Sequence, residues 1–393
     1  MTKRPEKKDR IELLDVLRGV AILGTLGSNV WLFSYVSSPE NPLFNTEVRP
    51  WESLDEFLAT TTLFFTNGKF LALLTVLFGV GLEIQYRSAR RRGLPWPSRY
   101  LWRSALLFFE GFLHYVLVFE YDILMGYALS AIVVAFIVGR SDRFIRRAMW
   151  AAGGLHLALF GLASVALAAL TLTAPEAASF SLYSPEAARV YASGSYVDQV
   201  LYRLDNLVLY RIEPLFIIPM NVFLYLLGVR LMRSGAFVPD EAGRRIRRKM
   251  LRYGLLLGVP LNALVFFPGG LFDLPVRYFF APVLALGYVG IVALLLDGGA
   301  LRWLADRLAE VGRLALSCYI LQNVLASAVF YGWGLGLAGA FGAVGTLGVM
   351  GGIWAALALF SNLWLRCFSQ GPFEWLMRSL AALPFRKRKP KAG

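Results

Sequence analysis

The chain has 393 residues, 57% of them apolar and 17% charged, and a formal net charge of +14. With its positive mean hydropathy, this composition excludes an ordinary soluble domain and describes an all-α polytopic integral membrane helical bundle. The positive charge is spread through the gaps between apolar runs, with no aromatic–basic module, so nucleic acid is not an expected partner.

A membrane span needs about 20 mostly apolar residues. On that measure the sequence predicts about ten transmembrane helices, at 12–35, 62–86, 101–119, 123–139, 148–172, 208–231, 251–268, 276–296, 313–331 and 338–365. They form a single transmembrane domain over 12–380, with an N-terminal part at about 12–206 and a C-terminal part at about 207–380. Basic tails occupy 1–11 and 381–393. The first span is long enough to cross and lacks a convincing cleavage site, so it is read as a retained helix rather than a signal peptide.

Lysine and arginine set the expected orientation. Lys3, Arg4, Lys7, Lys8 and Arg10, the arginines at 87–103, those at 140–147, the cluster at 230–252 and the C-terminal tail all fall on one side of ten alternating helices. The opposite gaps are acidic, with Glu40, Glu47, Glu52, Asp55 and Glu56 in the first. Both termini are therefore expected in the cytoplasm, with membrane lipids as the surroundings. Residues 302–313 are amphipathic and predicted to lie along the cytoplasmic surface. Glycines at 336, 339, 342, 345, 348 and 351 are read as close helix packing. Long apolar helices of this kind permit a homodimer without demanding one. Cys318 and Cys367 have neither disulfide nor metal spacing and are read as packing residues; no metal is expected.

Ionisable groups at membrane depth cost about 2.5–3.5 kcal/mol on the insertion scale, so they normally face protein or a wet cavity and mark function. Asp15, Arg18, Thr25 and Asn29 form a stripe on the first span, either as an ion pair at the helix start or as the lining of a substrate or cofactor path. Glu110 and His114 share a helix face four residues apart, with Asp122 eight residues further on. A carboxylate that holds one imidazole nitrogen leaves the other to act as a base, so His114, with Asp122 or Glu110 as its orienter, is the expected catalytic group. Arg211, Glu213 and Pro214 open the sixth span, Pro219 and Asn221 interrupt it, and Gln322 and Asn323 sit within the ninth. Each either glues helices together or lines a hydrated cavity. Lys69, in the second span, is expected to snorkel outward or pair with an acid. His156 has no acid nearby and is read as packing.

Several stretches carry a family resemblance: Arg10-Ile-Glu-Leu-Leu-Asp15-Val-Leu-Arg18-Gly, Lys69 to Gly81, Gly111-Phe-Leu-His114 followed by Asp122-Ile-Leu-Met-Gly-Tyr127, Gly312 to Asn323, Phe330-Tyr-Gly332 and Gly371-Pro-Phe-Glu-Trp375. Together they resemble the YeiB-like bacterial membrane proteins, domain of unknown function 418. The resemblance implies a multi-pass protein of the bacterial cytoplasmic (inner) membrane. The Asp15-x-x-Arg18-Gly opening is also similar, distantly, to the transmembrane acyltransferases, including the acyltransferase-3 proteins and the lysosomal heparan-glucosaminide acetyltransferase. That likeness implies acyl transfer from a cytoplasmic acyl-CoA donor to a hydroxyl or amine on a small-molecule or glycan acceptor. Of the residues expected to hold substrate or cofactor, Asp15, Arg18, Asn29, Arg211, Glu213, Gln322 and Asn323, only Asp15 and Arg18 match that wider opening; the rest are polar groups read from the spans themselves, with Asn29 or Arg211 a candidate for stabilising oxyanion charge. This chain departs from the lysosomal pattern, because residues 36–61, its first external loop, contain no histidine. It departs from the YeiB-like pattern too, with Glu120-Tyr-Asp122 where glycine usually precedes the aspartate. The rival expectation is a proton-coupled transporter or exporter using the intramembrane Glu, His and Arg groups.

Overall fold

A computed structural model describes residues 11–36, 38, 40–43, 49–173, 184–299 and 301–385, so most of both basic tails and Glu47 lie outside the described residues. The described residues contain helices and no strand.

The first helix, α1 (Glu12–Ser34), is the hub, and Leu17, Ala21, Leu26, Val30 and Trp31 on it are inaccessible to solvent. A second apolar stretch is split into α2 (Leu54–Thr66) and α3 (Lys69–Arg91). Ser53 starts α2 by accepting from the Glu56 amide, with Asp55 and Glu56 in the positive first turn. The split falls at Gly68, whose φ of +77° suits glycine and whose missing Cβ would lie 2.6 Å from the Arg277 carbonyl oxygen. Helices α4 (Ser98–Leu117) and α5 (Leu124–Ile137) form a hairpin. The long α6 (Asp142–Thr173) exposes Leu155, Leu157, Leu162 and Val165. Two short helices, α7 (Pro185–Ser193) and α8 (Tyr196–Asp205), begin with Ser184 and Ser195 side-chain caps.

Next come α9 (Leu207–Phe216) and α10 (Ile218–Arg233), bent by 45° at Ile217, between Pro214 and Pro219. Helix α11 (Glu241–Asn262) lies against α12 (Ala281–Asp297), which a π-helical turn at Val276–Phe280 introduces. Helix α13 (Arg302–Arg313) turns by 88° into α14 (Ala315–Phe330), and α15 (Ala343–Cys367) and α16 (Pro372–Ala382) complete the chain. The sharp turn agrees with reading 302–313 as separate from the span that follows. Helix α13 crosses the start of α1 so closely that a Cβ on Gly19 would lie 1.9 Å from the Leu308 oxygen, and one on Gly312 1.8 Å from the Asp15 oxygen.

Among the described residues six helical stretches are long and apolar enough to cross a membrane, and up to eight if each bent pair counts as one span. The remainder of the predicted ten are α4, which carries Arg99, Arg103 and Glu110, and α5, which has only 14 residues.

Three expectations are corrected. The glycine run is not a packing stripe: Gly336 and Gly339 are positive-φ turn residues ahead of α15, and Gly348 and Gly351 face open space. Lys69 neither snorkels nor meets an acid; it is fully buried and its Nζ donates to the Leu63 carbonyl at 3.3 Å. Cys318 is buried as expected, but Cys367 is exposed.

At one end of the bundle Glu83 of α3 ties four helices together. Arg233 of α10 makes two bonds to its carboxylate at 3.0 Å each, and Arg87 adds a third at 2.8 Å. Arg233 also reaches Asp142 at the start of α6 and the Val138 carbonyl just beyond α5.

Candidate functional site

At the opposite end, the α4–α5 turn brings His114 and Asp122 face to face. Gly111 makes this possible, since a Cβ there would lie 2.7 Å from the Met125 amide nitrogen and 3.1 Å from Asp122 Oδ2. His114 Nδ1 lies 2.9 Å from Asp122 Oδ1, and both side chains are buried. With Asp122 ionised, Nδ1 carries the proton and Nε2 keeps its lone pair. Tyr319 of α14 donates to the same Asp122 oxygen at 3.2 Å, and the Leu124 amide donates to Oδ2 at 2.8 Å. Asn323, one turn after Tyr319, places its amide nitrogen 3.4 Å from His114 Nε2.

The turn itself is clamped from α9. Arg211 donates to the carbonyl oxygens of Asp122, at 2.9 Å, and Glu120, and its guanidinium stacks 4.2 Å over the Tyr115 ring. Glu120 lies 3.5 Å from Arg203 Nε and accepts from Tyr331 at 3.2 Å. Arg203 is wholly buried; it donates to the Val116 carbonyl at 3.0 Å and to the Tyr191 hydroxyl at 3.2 Å. Thus the 119–123 turn is held by hydrogen bonds to backbone on one side and a buried ion pair on the other, which is the pre-organisation an active-site carboxylate needs.

Glu110, expected as an alternative orienter, does not touch His114; both of its carboxylate oxygens are buried without a hydrogen-bond partner. Arg211 is a positioning group, with two of its nitrogens on backbone carbonyls. Glu213 pairs with Arg277 at 3.0 Å and accepts from Tyr278, bridging α9 to the π-helical turn. Beside this pair lie two small adjoining cavities, of about 60 and 50 Å³. Asp122 and Asn221 line the first, Asn29 and Tyr319 the second, and Tyr121, Glu213 and Arg277 line both. Each holds a few waters or the reacting end of a small substrate, not a whole cofactor.

Asp15 and Arg18 pair at 3.2 Å near the start of α1, beneath α13, and are not brought to the dyad. Gln322 instead donates to Thr25 at 3.0 Å, joining α14 to α1, while its own carbonyl oxygen stays buried and unpaired. His156 is half packing and half hydrogen bond: its Nε2 meets the Tyr278 carbonyl at 3.2 Å among Phe160 and Phe279. Among the described residues no group of three His, Cys, Asp or Glu side chains is placed to hold a metal.

Sequence reasoning missed Tyr319, Arg203 and Tyr331. Tyr319 carried a signal, because it precedes Asn323 by four residues and so shares its helix face. Arg203 was one of two cations, with Arg189, in a gap read as acidic.

A helical membrane protein with a buried His–Asp pair beside a polar cavity is the class that fold and site define. Residues 231–384 match the family described as "Protein of unknown function (DUF418)". The chain is 29% identical over 392 residues to the uncharacterized protein YxaH of Bacillus subtilis (strain 168), covering 95% of both chains. It is 29% identical over 397 residues to the uncharacterized protein YeiB of Escherichia coli (strain K12), covering 95% of this chain and 96% of that one. An uncharacterized 39.9 kDa protein of Bacillus acidopullulyticus is 24% identical over 388 residues. The chain is thus similar to the DUF418 proteins over residues 231–384 and to YxaH and YeiB over nearly its whole length.

Proposed function

We propose that this protein is a membrane-embedded acyltransferase, moving an acyl group from a cytoplasmic acyl-CoA to a hydroxyl or amine acceptor at the outer face of the bacterial inner membrane. In this reading α4 and α5 complete a ten-span bundle with both termini in the cytoplasm. The observation that carries it is the buried His114–Asp122 pair at 2.9 Å, with Nε2 left as a base.

The acceptor displaces the Asn323 amide from Nε2 and gives its proton to His114. Its oxygen or nitrogen then forms a bond to the thioester carbonyl carbon, the carbon–sulfur bond breaks, and the imidazolium returns the proton to the leaving thiolate. Asp122 stabilises the imidazolium, and the displaced Asn323 amide is the nearest donor for the developing oxyanion. The acceptor reaches the dyad through the Glu213–Arg277 cavities, whose carboxylate, guanidinium and tyrosine hydroxyls suit a polyhydroxyl compound such as an envelope glycan. The donor meets the basic cytoplasmic face, where arginines at 87–103 or 244–252 complement its phosphates.

One observation favours a transport reading: the cavity lined by Pro214, Ile217 and Asn221 sits where α9 breaks from α10, as binding sites in secondary transporters do. Incubating purified protein with acyl-radiolabelled acyl-CoA and membrane glycans separates the two. Label transferred to an acceptor by wild type, and not by His114→Ala of equal thermal stability, supports the enzyme. Solute accumulation in sealed vesicles without any covalent product overturns it in favour of transport.

A further inference from the structure

Far from the dyad, helices α11 and α12 flank a groove of about 350 Å³. The two helices run antiparallel and each presents one face. From α11 come Arg244, Arg247, Arg248 and Leu251, spaced i, i+3, i+4 and i+7. From α12 come Gly290, Ala293, Leu294 and Asp297 at the same spacing. The small residues of α12 let the helices touch at the base, where a Cβ on Gly290 would lie 2.6 Å from Leu251 Cα. Towards the arginines the groove opens.

Its charge is unbalanced. Arg247 is 4% exposed and locked in place, donating to the carbonyls of Ala236 and Val238 at 2.8 Å each and to Asp297 at 3.2 Å. Asp297 is the one carboxylate in the lining, and Arg244 Nε is 3.7 Å from it. Arg248 meets Glu241 at a loose 3.5 Å on a side chain that is 68% exposed. Two accessible guanidinium groups therefore stand over a cation that is already seated, and the pocket prefers an anion.

The walls say which kind. Leu251, Ala293 and Leu294 are apolar, and Leu294 is exposed. The groove thus sets an arginine cluster beside an apolar wall, matching an amphiphile with a phosphate head and acyl tails. A free phosphate would gain nothing from those walls.

We infer that the α11–α12 groove is a binding site for an anionic phospholipid, its headgroup phosphate held by Arg244 and Arg248 over Arg247 and its chains running along Leu251, Ala293 and Leu294. This site stands independently of the acyltransferase reading.

The test is native mass spectrometry of the full-length protein in detergent, titrated with phosphatidylglycerol and, separately, phosphatidylcholine. Wild type should retain phosphatidylglycerol preferentially. The double variant Arg244→Ala/Arg248→Ala should lose about thirtyfold in that affinity, since each surface cation contributes roughly 1 kcal/mol. Arg244→Lys/Arg248→Lys should keep most of it. If the double alanine variant does not purify as one species, the single Arg248→Glu change, on an exposed side chain, serves the same purpose. Equal retention of the two lipids, no loss in the variants, or displacement of the lipid by coenzyme A or inorganic phosphate at comparable concentration would each overturn the inference.

Discussion

Both oxygens of Asp122 are engaged within the protein, Oδ1 by His114 and Tyr319 and Oδ2 by the Leu124 amide. Replacing it with the neutral, nearly isosteric asparagine removes the charge that stabilises an imidazolium while leaving the packing. If the protein transfers acyl groups as proposed, Asp122→Asn should therefore lower that activity by about 10²–10⁴-fold, the usual scale of general acid–base catalysis. Single-turnover transfer measured beside a thermal melt checks this; wild-type rates in the variant would remove the dyad from the mechanism. Tyr319→Phe deletes one of three hydrogen bonds to that carboxylate and should cost about 0.5–1.5 kcal/mol of stability, with a much smaller rate effect. Arg211→Lys is a harsher change than it looks. One ammonium cannot reproduce the planar fork that spans the Glu120 and Asp122 carbonyls, nor its stacking on Tyr115. On the proposed mechanism it should reduce transfer and lower the melting temperature modestly without abolishing folding.

Helices in this bundle are joined by two different devices. The first is the buried Glu83 carboxylate shared by Arg87 and Arg233, which links α3, α10 and the α5–α6 turn. Glu83→Ala leaves Arg233 partly buried without its main counter-ion and should destabilise the protein by about 3–5 kcal/mol, seen as a large fall in detergent melting temperature. A variant that melts with wild type would show the clamp to be dispensable. The second device is direct backbone contact, as at Gly19 and Gly312 between α1 and α13. Gly312→Ala should force these helices apart and lower the melting temperature, whereas Gly348→Ala, facing open space, should raise or maintain it. The regular spacing of glycines from 336 to 351 was the conspicuous sequence signal, yet it combines turn glycines (336 and 339), one packed against Asp55 (342) and two facing open space (348 and 351). Spacing along one helix reports a shared face, but not whether another helix lies against it.

On the scale of the whole molecule, the two cysteines report topology without any added label. Cys367 is exposed at the end of α15, and Cys318 is inaccessible within α14. With both termini in the cytoplasm, a membrane-impermeant maleimide should label Cys367 in inverted vesicles and leave it unlabelled in spheroplasts. Cys318 should stay unmodified in both until the protein is denatured. Labelling of Cys367 from the outside would invert the orientation read from lysine and arginine, and with it the assignment of donor and acceptor faces.

Composition by itself determined the class, because 57% apolar residues in long runs leave few alternatives to a helical membrane bundle, where every backbone amide must be satisfied within its own helix. It also singled out His114 and Asp122, since ionisable groups are scarce in such runs. Tertiary structure decided their chemistry. Glu110, on the same face as His114, looked an equally good partner, but the α4–α5 turn folds Asp122 back onto Nδ1 and leaves Glu110 apart. Tyr319 and Asn323 come from about 200 residues away, and Arg203 from a gap that composition marked as acidic. Helical periodicity relates residues only to neighbours on their own helix. Which face meets which is set by packing among helices far apart in sequence, and the geometry of the site resides there.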